Sequence, residues 1–325
     1  MKYTLGIDTS CYTTSVAIMD KAGNLLADER RILKVAAGGR GLAQSEMVFQ
    51  HTRNLPVLFE QAVNKIEKPV RFQAIGVSAY PRPLPDSYMP AFLVGDGYAK
   101  VLAAAQGSKL FRISHQEGHV FAGIWSAGGP NSKEFLAVHV SGGTTEIVRV
   151  LRQEQNTIID LLGGTQDLHA GQFVDRVGVA LKLPFPAGKH LEKLALTGRD
   201  EAIKIPVSAK GMQVSFSGPA THALRMVEKG IAPAAVAAGV EFCIGATLSK
   251  MIKAAVEETG LQEVLMVGGV MSNQFIRQFI TSKLSMIDKT KLYFPKNEYS
   301  PDNAVGTAYF TLLNSTNDIT PAYDT

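Results

Sequence analysis

Two histidines stand four residues apart in His115-Gln116-Glu117-Gly118-His119, where an apolar-rich extended segment, Lys109 to Ser114, gives way to a helical pattern. At i and i+4 on a helix the Cβ atoms lie roughly 5–6 Å apart, so both rings can hold one metal ion. The chain has only seven histidines, which lowers the odds of a chance pairing. Glu117 lies about 200° around the helix from each histidine and faces away from them. That excludes the zinc-peptidase pattern H-E-x-x-H, whose glutamate directly follows the first histidine. The alternative is a pair that merely caps and solvates a first helical turn. A third ligand shifts the balance, and Asp302 in Tyr299-Ser300-Pro301-Asp302-Asn303-Ala304-Val305-Gly306 is the candidate. An Asp after Pro and before a small-residue helix is first of all an N-cap, but it is also rigid and well aimed. Two imidazoles and one carboxylate with open positions suit Fe(II) or Zn(II).

The elements that must position these groups alternate between strand and helix. Asp8 to Ile18 reads as strand, polar turn and strand, and His139 to Val148 repeats that rhythm around a second Thr-Thr pair. Third strand-like pieces follow at 23–33 and 157–162. Helical patterns cover 46–65, 90–106, 172–183, 233–259, 273–286 and 302–313, with short strands at 72–79, 110–114, 263–267 and 291–294. Such alternation with a duplicated hairpin implies an α/β fold of two related lobes, the actin, sugar-kinase and Hsp70 class, with nucleotide between the lobes. The expected division is an N-terminal lobe over 1–114 and a C-terminal lobe over 115–313 with a helical insertion. Helices near 115–126 and 302–313 then bridge the cleft, and a frayed tail occupies 314–325.

Composition sets the class. The chain has 325 residues, 46% hydrophobic and 19% charged, as expected of a soluble chain of two domains or two halves of one. Two cysteines, Cys11 and Cys243, exclude a disulfide framework or a zinc knuckle and fit a reducing cytoplasm. The N-terminus runs into a strand pattern without the n- and h-regions of a secretory signal. No uninterrupted run approaches the length of a membrane span, so no membrane partner is expected. A net charge of +4 permits a nucleic-acid partner, but no dense Lys/Arg block argues for one.

Glycine turns suggest the ligand. Val264 to Val267 is a buried-strand pattern that ends in Gly268-Gly269 before a helix start at Asn273, the arrangement that presents backbone amides to phosphate. A tight turn capped by Asn273 reads equally well. Ser141-Gly142-Gly143-Thr144, Phe185-Pro186-Ala187-Gly188 and Ser215-Phe216-Ser217-Gly218-Pro219 supply further turns, and Gly163-Gly164 and His169-Ala170-Gly171 free points before the helix that carries Asp175. That aspartate can accept hydrogen bonds from ribose hydroxyls or simply solvate a helix face.

Taken in order, these residues resemble the tRNA threonylcarbamoyladenosine synthases of TsaD type, formerly called O-sialoglycoprotein endopeptidases. The resemblance rests on Gly6-Ile7-Asp8-Thr9-Ser10-Cys11, His115 to His119, Val140-Ser141-Gly142-Gly143, Asp167 to Asp175, Phe185 to Gly188, Phe216-Ser217-Gly218, Gly268 to Asn273 and Asp302-Asn303. It implies an actin-like fold and an acyl transfer. The threonylcarbamoyl group passes from threonylcarbamoyl-adenylate to the exocyclic amine of the adenosine beside the tRNA anticodon. It further implies His115, His119 and Asp302 as ligands of one divalent metal, iron before zinc, with His115 and His119 at the catalytic centre. His139, Val140, Ser141, Gly142, Gly143, Asp175, Gly188 and Asn273 become contacts to the ATP or AMP moiety. In the resemblance the metal polarises the carbonyl while the glycine turns hold the leaving AMP. Partners follow as tRNA, a homologous actin-like subunit and a small ATPase, in the cytoplasm.

Four departures stand against full activity. Tyr12 and Thr13 occupy the family's acidic pair, Thr144 replaces its histidine, Gln172 its glutamate, and Pro81-Arg82-Pro83-Leu84-Pro85-Asp86 its glycine-rich loop. A paralogue that binds nucleotide and metal without synthase activity, or a carbamoyl or acyl transferase with another substrate, is the alternative these departures suggest.

Overall fold

The computed structural model describes residues 3–35, 42–84, 86–153, 157–285 and 290–315, and these fall into two compact units. One takes in the described residues of Met1–Trp125 and Pro301–Thr325, the other Ser126–Ser300.

The first unit begins with β1 (Tyr3–Asp8), β2 (Thr13–Met19) and β3 (Leu25–Ile32), followed by α1 (Gln44–Val63), β4 (Phe72–Tyr80), α2 (Phe92–Gln106), β5 (Lys109–Ser114) and α3 (His115–Ala127). Its sheet runs β3-β2-β1-β4-β5, antiparallel on the β2 side of β1 and parallel on the β4 side. Every residue of β1 and β2 is buried, which is why they read as near-continuous small and apolar runs. The edge strand β3 instead carries Asp28, Glu29, Arg30 and Arg31, charges that discourage further strand pairing. α2 stops at Gly107, whose φ of +63° suits a residue without Cβ.

The second unit holds β6 (Glu134–Val140), β7 (Thr145–Arg152), β8 (Thr157–Thr165), α4 (Ala170–Ala180), α5 (Gly188–Ala195), β9 (Ala209–Lys210), β10 (Gln213–Val214), α6 (Ser217–Glu228), α7 (Pro233–Thr259), β11 (Glu263–Val267), α8 (Gln274–Leu284) and β12 (Lys291–Tyr293). Its sheet runs β12-β11-β6-β7-β8-β10-β9, so β6, β7, β8, β11 and β12 repeat the order of the five strands of the first sheet. The duplicated hairpin is therefore the start of a duplicated sheet. Its turns differ in length: Asp8 pairs with Ser15 around residues 9–14, but Val140 pairs with Thr145 around 141–144.

α9 (Val305–Ser315) completes the first unit and packs on β1, β4 and β2. Gly6 and Gly76 are cross-strand partners, and a Cβ on either would strike α9: Gly6 against Ala304 and Ala308, Gly76 against Thr307 and Thr311. Ile7 and Val77, the next pair along, point the opposite way and meet α2 at Gly95. α9 also meets α3 at bare backbone, where a Cβ on Gly306 would strike Gly118 O and Ala122 N. This seam of small residues puts the division elsewhere than 114/115: α3 up to Trp125, and α9, pack with the first sheet.

Other differences have local causes. Gly188 and Ser217 begin the helices α5 and α6, where the sequence suggested turns alone. Gly163 and Gly164 lie within β8, because Cβ atoms there would strike Met212 and the Thr145–Glu146 backbone. α9 reaches Ser315, two residues into the expected tail, and 316–325 lies outside the described residues, as does Pro85. α7 is long and apolar enough by length and composition to cross a membrane, although charged residues such as Glu241 and Lys250 interrupt its apolar run. Most of its apolar window is buried within the second unit's core, which accounts for its composition.

Candidate functional site

α3 starts where it does because Ser114 and Glu117 cap each other. The Glu117 N–H donates to Ser114 Oγ (3.1 Å), while Glu117 Oε2 accepts from the Ser114 N–H and hydroxyl (2.7 Å each). This reciprocal S-x-x-E box satisfies helix-start amides and fixes the first turn, which carries His115. Glu117 does face away from the histidines, and its work is to aim them. Burial raises its pKa, against the hydrogen bonds from Ser114.

The three expected ligands come together within the first unit. His115 Nε2 and His119 Nε2 are 3.0 Å apart, and Asp302 Oδ1 is 3.4 Å from both. Asp302 does not cap α9: Asn303 Oδ1 accepts from the Val305 N–H (3.0 Å), and Ser15 Oγ accepts from the Ala304 N–H (2.8 Å). The buried Asp8, at the end of β1, places Oδ2 3.2 Å from His115 Nδ1. A carboxylate only accepts, so the His115 proton sits on Nδ1 and the Nε2 side faces His119 and Asp302. Burial disfavours the His115 imidazolium, but Asp8 and Asp302 outweigh it and hold its pKa well above the ordinary value. Burial likewise opposes the Asp302 carboxylate, but His115 and His119 hold it well below its usual range.

This donor set fits a metal ion. Bonds of about 2.0–2.1 Å at tetrahedral angles put donor atoms roughly 3.3 Å apart, and the observed separations are 3.0, 3.4 and 3.4 Å. Two nitrogens and one carboxylate oxygen converge, one nitrogen already oriented by a second carboxylate. The sequence reading missed Asp8 in this role. It also missed His51, buried on α1, whose ring bridges Thr14 Oγ1 (2.9 Å) and the Cys11 carbonyl (3.3 Å). The S-x-x-E spacing before the first histidine was the available signal for the cap; for Asp8 and His51 the sequence carried none.

In the second unit the hairpin turn 141–144 is closed by the Ser141 N–H donating to Thr144 O (2.7 Å) and the Gly143 N–H to Ser141 Oγ (3.2 Å). The start of α4 abuts it, with the Gly171 N–H donating to Ser141 O (3.1 Å) and the Ala170 N–H to Thr145 Oγ1 (2.9 Å). Gly142, Gly143, Gly188, Gly218 and Gly269 all face open space where a side chain would stand. His139 is half-buried on β6, with its ring edge toward Gly268, and Val140 is buried beside it. Asp175 Oδ1 accepts from the Ala187 N–H (2.8 Å), next to Gly188, and burial raises its pKa against that bond. Asn273 is engaged at both ends: Oδ1 caps α8 at Ile276 N, and Nδ2 donates to the buried Glu241. Gln172, in the place of the family's glutamate, accepts from the His169 N–H (3.2 Å), a helix-start bond that a glutamine makes as a glutamate would.

Asp167 is the most densely bonded carboxylate of this region. Burial opposes its charge, but Ser215, Thr165 and the Leu168 and Phe216 amides hold its pKa far below the usual range. A folded-state pKa below the unfolded one contributes stability above about pH 4 that is lost as pH falls toward the folded value. Asp167→Asn should therefore flatten the acid side of the stability curve below about pH 4, read by urea unfolding across a pH series. An unchanged acid slope would remove Asp167 from the acid response.

Comparison with known proteins identifies the family and the fold. The family model TsaD, tRNA N6-adenosine threonylcarbamoyltransferase, matches residues 35–309. A tRNA N6-adenosine threonylcarbamoyltransferase of Thermus thermophilus is 35% identical over 309 residues, covering 93% of this chain and 89% of that protein. Among solved structures, full-length HypF in its phosphate- and nucleotide-bound form superposes with a TM-score of 0.61 at 11% identity, over 97% of this chain and 55% of HypF. A ROK family glucokinase from Streptomyces griseus, in complex with glucose and AMPPNP, gives a TM-score of 0.50 at 12% identity, over 95% of this chain and 99% of the glucokinase. At such identities the two structures speak for the fold alone, the actin-like sugar-kinase class. The family match covers most of the chain and takes in the histidine pair, Asp302 and every glycine turn from 141 to 269, so the chain belongs to the TsaD family of tRNA N6-adenosine threonylcarbamoyltransferases.

Proposed function

We propose that this family member transfers the threonylcarbamoyl group of threonylcarbamoyl-adenylate to the exocyclic amine of the adenosine beside the tRNA anticodon, with one divalent ion, iron or zinc, on His115, His119 and Asp302. The observation that carries the metal half is the convergence of His115 Nε2, His119 Nε2 and Asp302 Oδ1 within 3.0–3.4 Å, with Asp8 behind His115. When bound, such an ion supplies Lewis-acid polarisation of a carbonyl oxygen. The chain's own groups do the positioning. Asp8 keeps the His115 proton on Nδ1, and the Ser114–Glu117 cap holds both rings on one helix face. In the transfer, the amine attacks the carbonyl carbon, the bond from that carbon to the adenylate oxygen breaks, AMP leaves with the bonding pair, and one amine proton passes to solvent.

The adenylate is assigned to the second unit. Val140 to Gly143, Gly188 and Gly269 offer main chain for phosphate oxygens, which bind amides most closely where no side chain intervenes. Asp175, with one oxygen on Ala187, has its other oxygen for a ribose hydroxyl, His139 flanks the turn, and Asn273 enters through its main chain because its side chain is engaged. Gly269→Val is expected to weaken AMP or ATP binding while the fold stays intact, since nothing lies within 4 Å of the added Cβ. Calorimetry giving equal affinities for the variant and the parent would move the nucleotide elsewhere.

A second reading, a nucleotide- and metal-binding paralogue without synthase activity, is favoured by the replaced positions. Tyr12, Thr13, Thr144 and Gln172 bring no carboxylate or imidazole, and each lost acid–base contact lowers a rate by about 10²–10⁴-fold if it acts in the transition state. The deciding assay supplies the full chain with threonine, bicarbonate, ATP, tRNA, the adenylate-forming enzyme, a homologous actin-like subunit and the small ATPase, and reads modified nucleoside by mass spectrometry. Product above the no-enzyme background, absent with His115→Ala, is the expected result. No product from protein that still binds metal and nucleotide would hand the case to the paralogue.

A further inference from the structure

We propose that Cys11 is an additional ligand of the ion held by His115, His119 and Asp302, which makes the centre a mixed sulfur, nitrogen and oxygen site for a borderline-soft divalent cation. The inference rests on the metal reading above and goes beyond it in naming the sulfur donor. Cys11 Sγ, a ring nitrogen of His115 and a carboxylate oxygen of Asp302 all lie within 4.8 Å of one another. They come from three separate elements: the β1–β2 turn, the first turn of α3 and the approach to α9. The thiol is thus one corner of a converging donor cluster.

The turn that carries Cys11 is fastened from several sides. Ser10 N–H donates to Asp8 Oδ1 (2.7 Å), Thr9 Oγ1 donates to Ala91 O (3.0 Å), and Leu33 N–H donates to Tyr12 O (2.8 Å). The Cys11 carbonyl itself faces His51 Nε2 at 3.3 Å. A carbonyl only accepts, so Nε2 carries the proton, and in the neutral ring Nδ1 accepts from the Thr14 hydroxyl, which in turn accepts from Asn54 Nδ2 (3.3 Å). Asp8 joins the two halves of the centre: one oxygen holds the turn through Ser10, the other holds His115. The same carboxylate therefore sets the distance from the thiol to the imidazole.

Distance and chemistry agree. A metal–sulfur bond of about 2.3 Å beside metal–nitrogen bonds of about 2.0–2.1 Å puts sulfur and nitrogen roughly 3.5 Å apart. From separations of at most 4.8 Å to His115 and Asp302, the thiol has on the order of 1 Å to close on these two donors, a side-chain adjustment. A thiolate donor favours Zn(II), Fe(II) or Co(II) over Mg(II), Ca(II) or Mn(II), which prefer oxygen. Cys243, the other cysteine, is buried in the second unit with its sulfur against Pro206 O (3.6 Å), so it offers no competing donor here.

The test uses the metal-free full-length protein titrated with Co(II), with near-ultraviolet absorption for thiolate-to-cobalt charge transfer and equilibrium dialysis for stoichiometry. The wild type should bind one cobalt with a charge-transfer band that excess Mg(II) does not remove. Cys11→Ser should bind cobalt without the band and at least about 10-fold more weakly, the lower end of what loss of even an outer partner costs. Cys11→Ala, with circular dichroism as a folding control, should behave alike. One cobalt bound by the wild type without the band would overturn the sulfur ligand and leave the histidine–carboxylate reading standing. A band that persists in Cys11→Ser would show that it does not come from Cys11 and overturn the proposal as well. Failure of the wild type to bind cobalt at all would bring down the metal reading and the sulfur ligand together.

Discussion

Alanine at position 115 should strip the purified protein of the proposed metal ion. His115 is the hub of the centre: Nδ1 engages Asp8 at 3.2 Å, and Nε2 faces both His119 at 3.0 Å and Asp302 at 3.4 Å. It is also the histidine of the set that includes Cys11, so neither donor set survives its loss. Removal of an outer partner of a metal ligand costs about 10–100-fold in affinity, and removal of the ligand itself exceeds that. Asp8→Asn marks the lower case, because it leaves all donors in place and disturbs only the orientation of His115. Elemental analysis after dialysis should find His115→Ala nearly empty, Asp8→Asn partly loaded and the wild type loaded one to one. Equal metal content in wild type and His115→Ala would exclude this centre.

The second large effect is structural. Gly306→Val places a branched side chain where α9 meets α3, with the new Cβ 2.5 Å from Ala122 N and closer still to Gly118 O. Both are helix backbone and cannot rotate aside as a side chain would. Overpacking of a core costs about 1–3 kcal/mol and more when backbone must move. Because Asp302 lies just before α9, displacement of the helix should also weaken metal binding. Gly97 on α2 gives the contrast: its added Cβ meets nothing within 4 Å, and Gly97→Ala should stabilise the protein by about 0.4–1 kcal/mol. Urea unfolding followed by circular dichroism measures both. A Gly306→Val variant with wild-type stability would falsify the close seam.

Much of the candidate site is legible in the sequence because it depends on local spacing. His115 and His119 share a helix face, and Asp302 stands at a helix start. Asp302 was first explicable as a cap; that duty falls to its neighbour Asn303, which leaves the aspartate to the histidines. Asp8 was not legible as a partner of His115, since the two come together only when β1 and β5 flank β4 in the sheet. The fold was readable from alternating strands and helices, and α7 and β11 fall where the pattern put them. The helices α5 and α6 were hidden because a glycine at a helix start looks the same in sequence as a glycine in a turn. The division at 114/115 was misplaced because Gly6, Gly76 and Gly306 leave no periodic apolar signal, only room for another backbone.

The first unit is discontinuous: its sheet is complete by Ser114, but its covering helix arrives only after Ser126–Ser300 has passed. On the ribosome, where chains emerge at about 5–20 residues per second, the face around Gly6 and Gly76 therefore stays bare while the whole second unit is made. The earlier strands wait as a half-built layer, and the later unit has every contact it needs to fold ahead of them. Chain order thus defers completion of the first unit until the second has been made, and the arrival of residues 301–315 both closes the first unit and delivers Asp302 to its histidines.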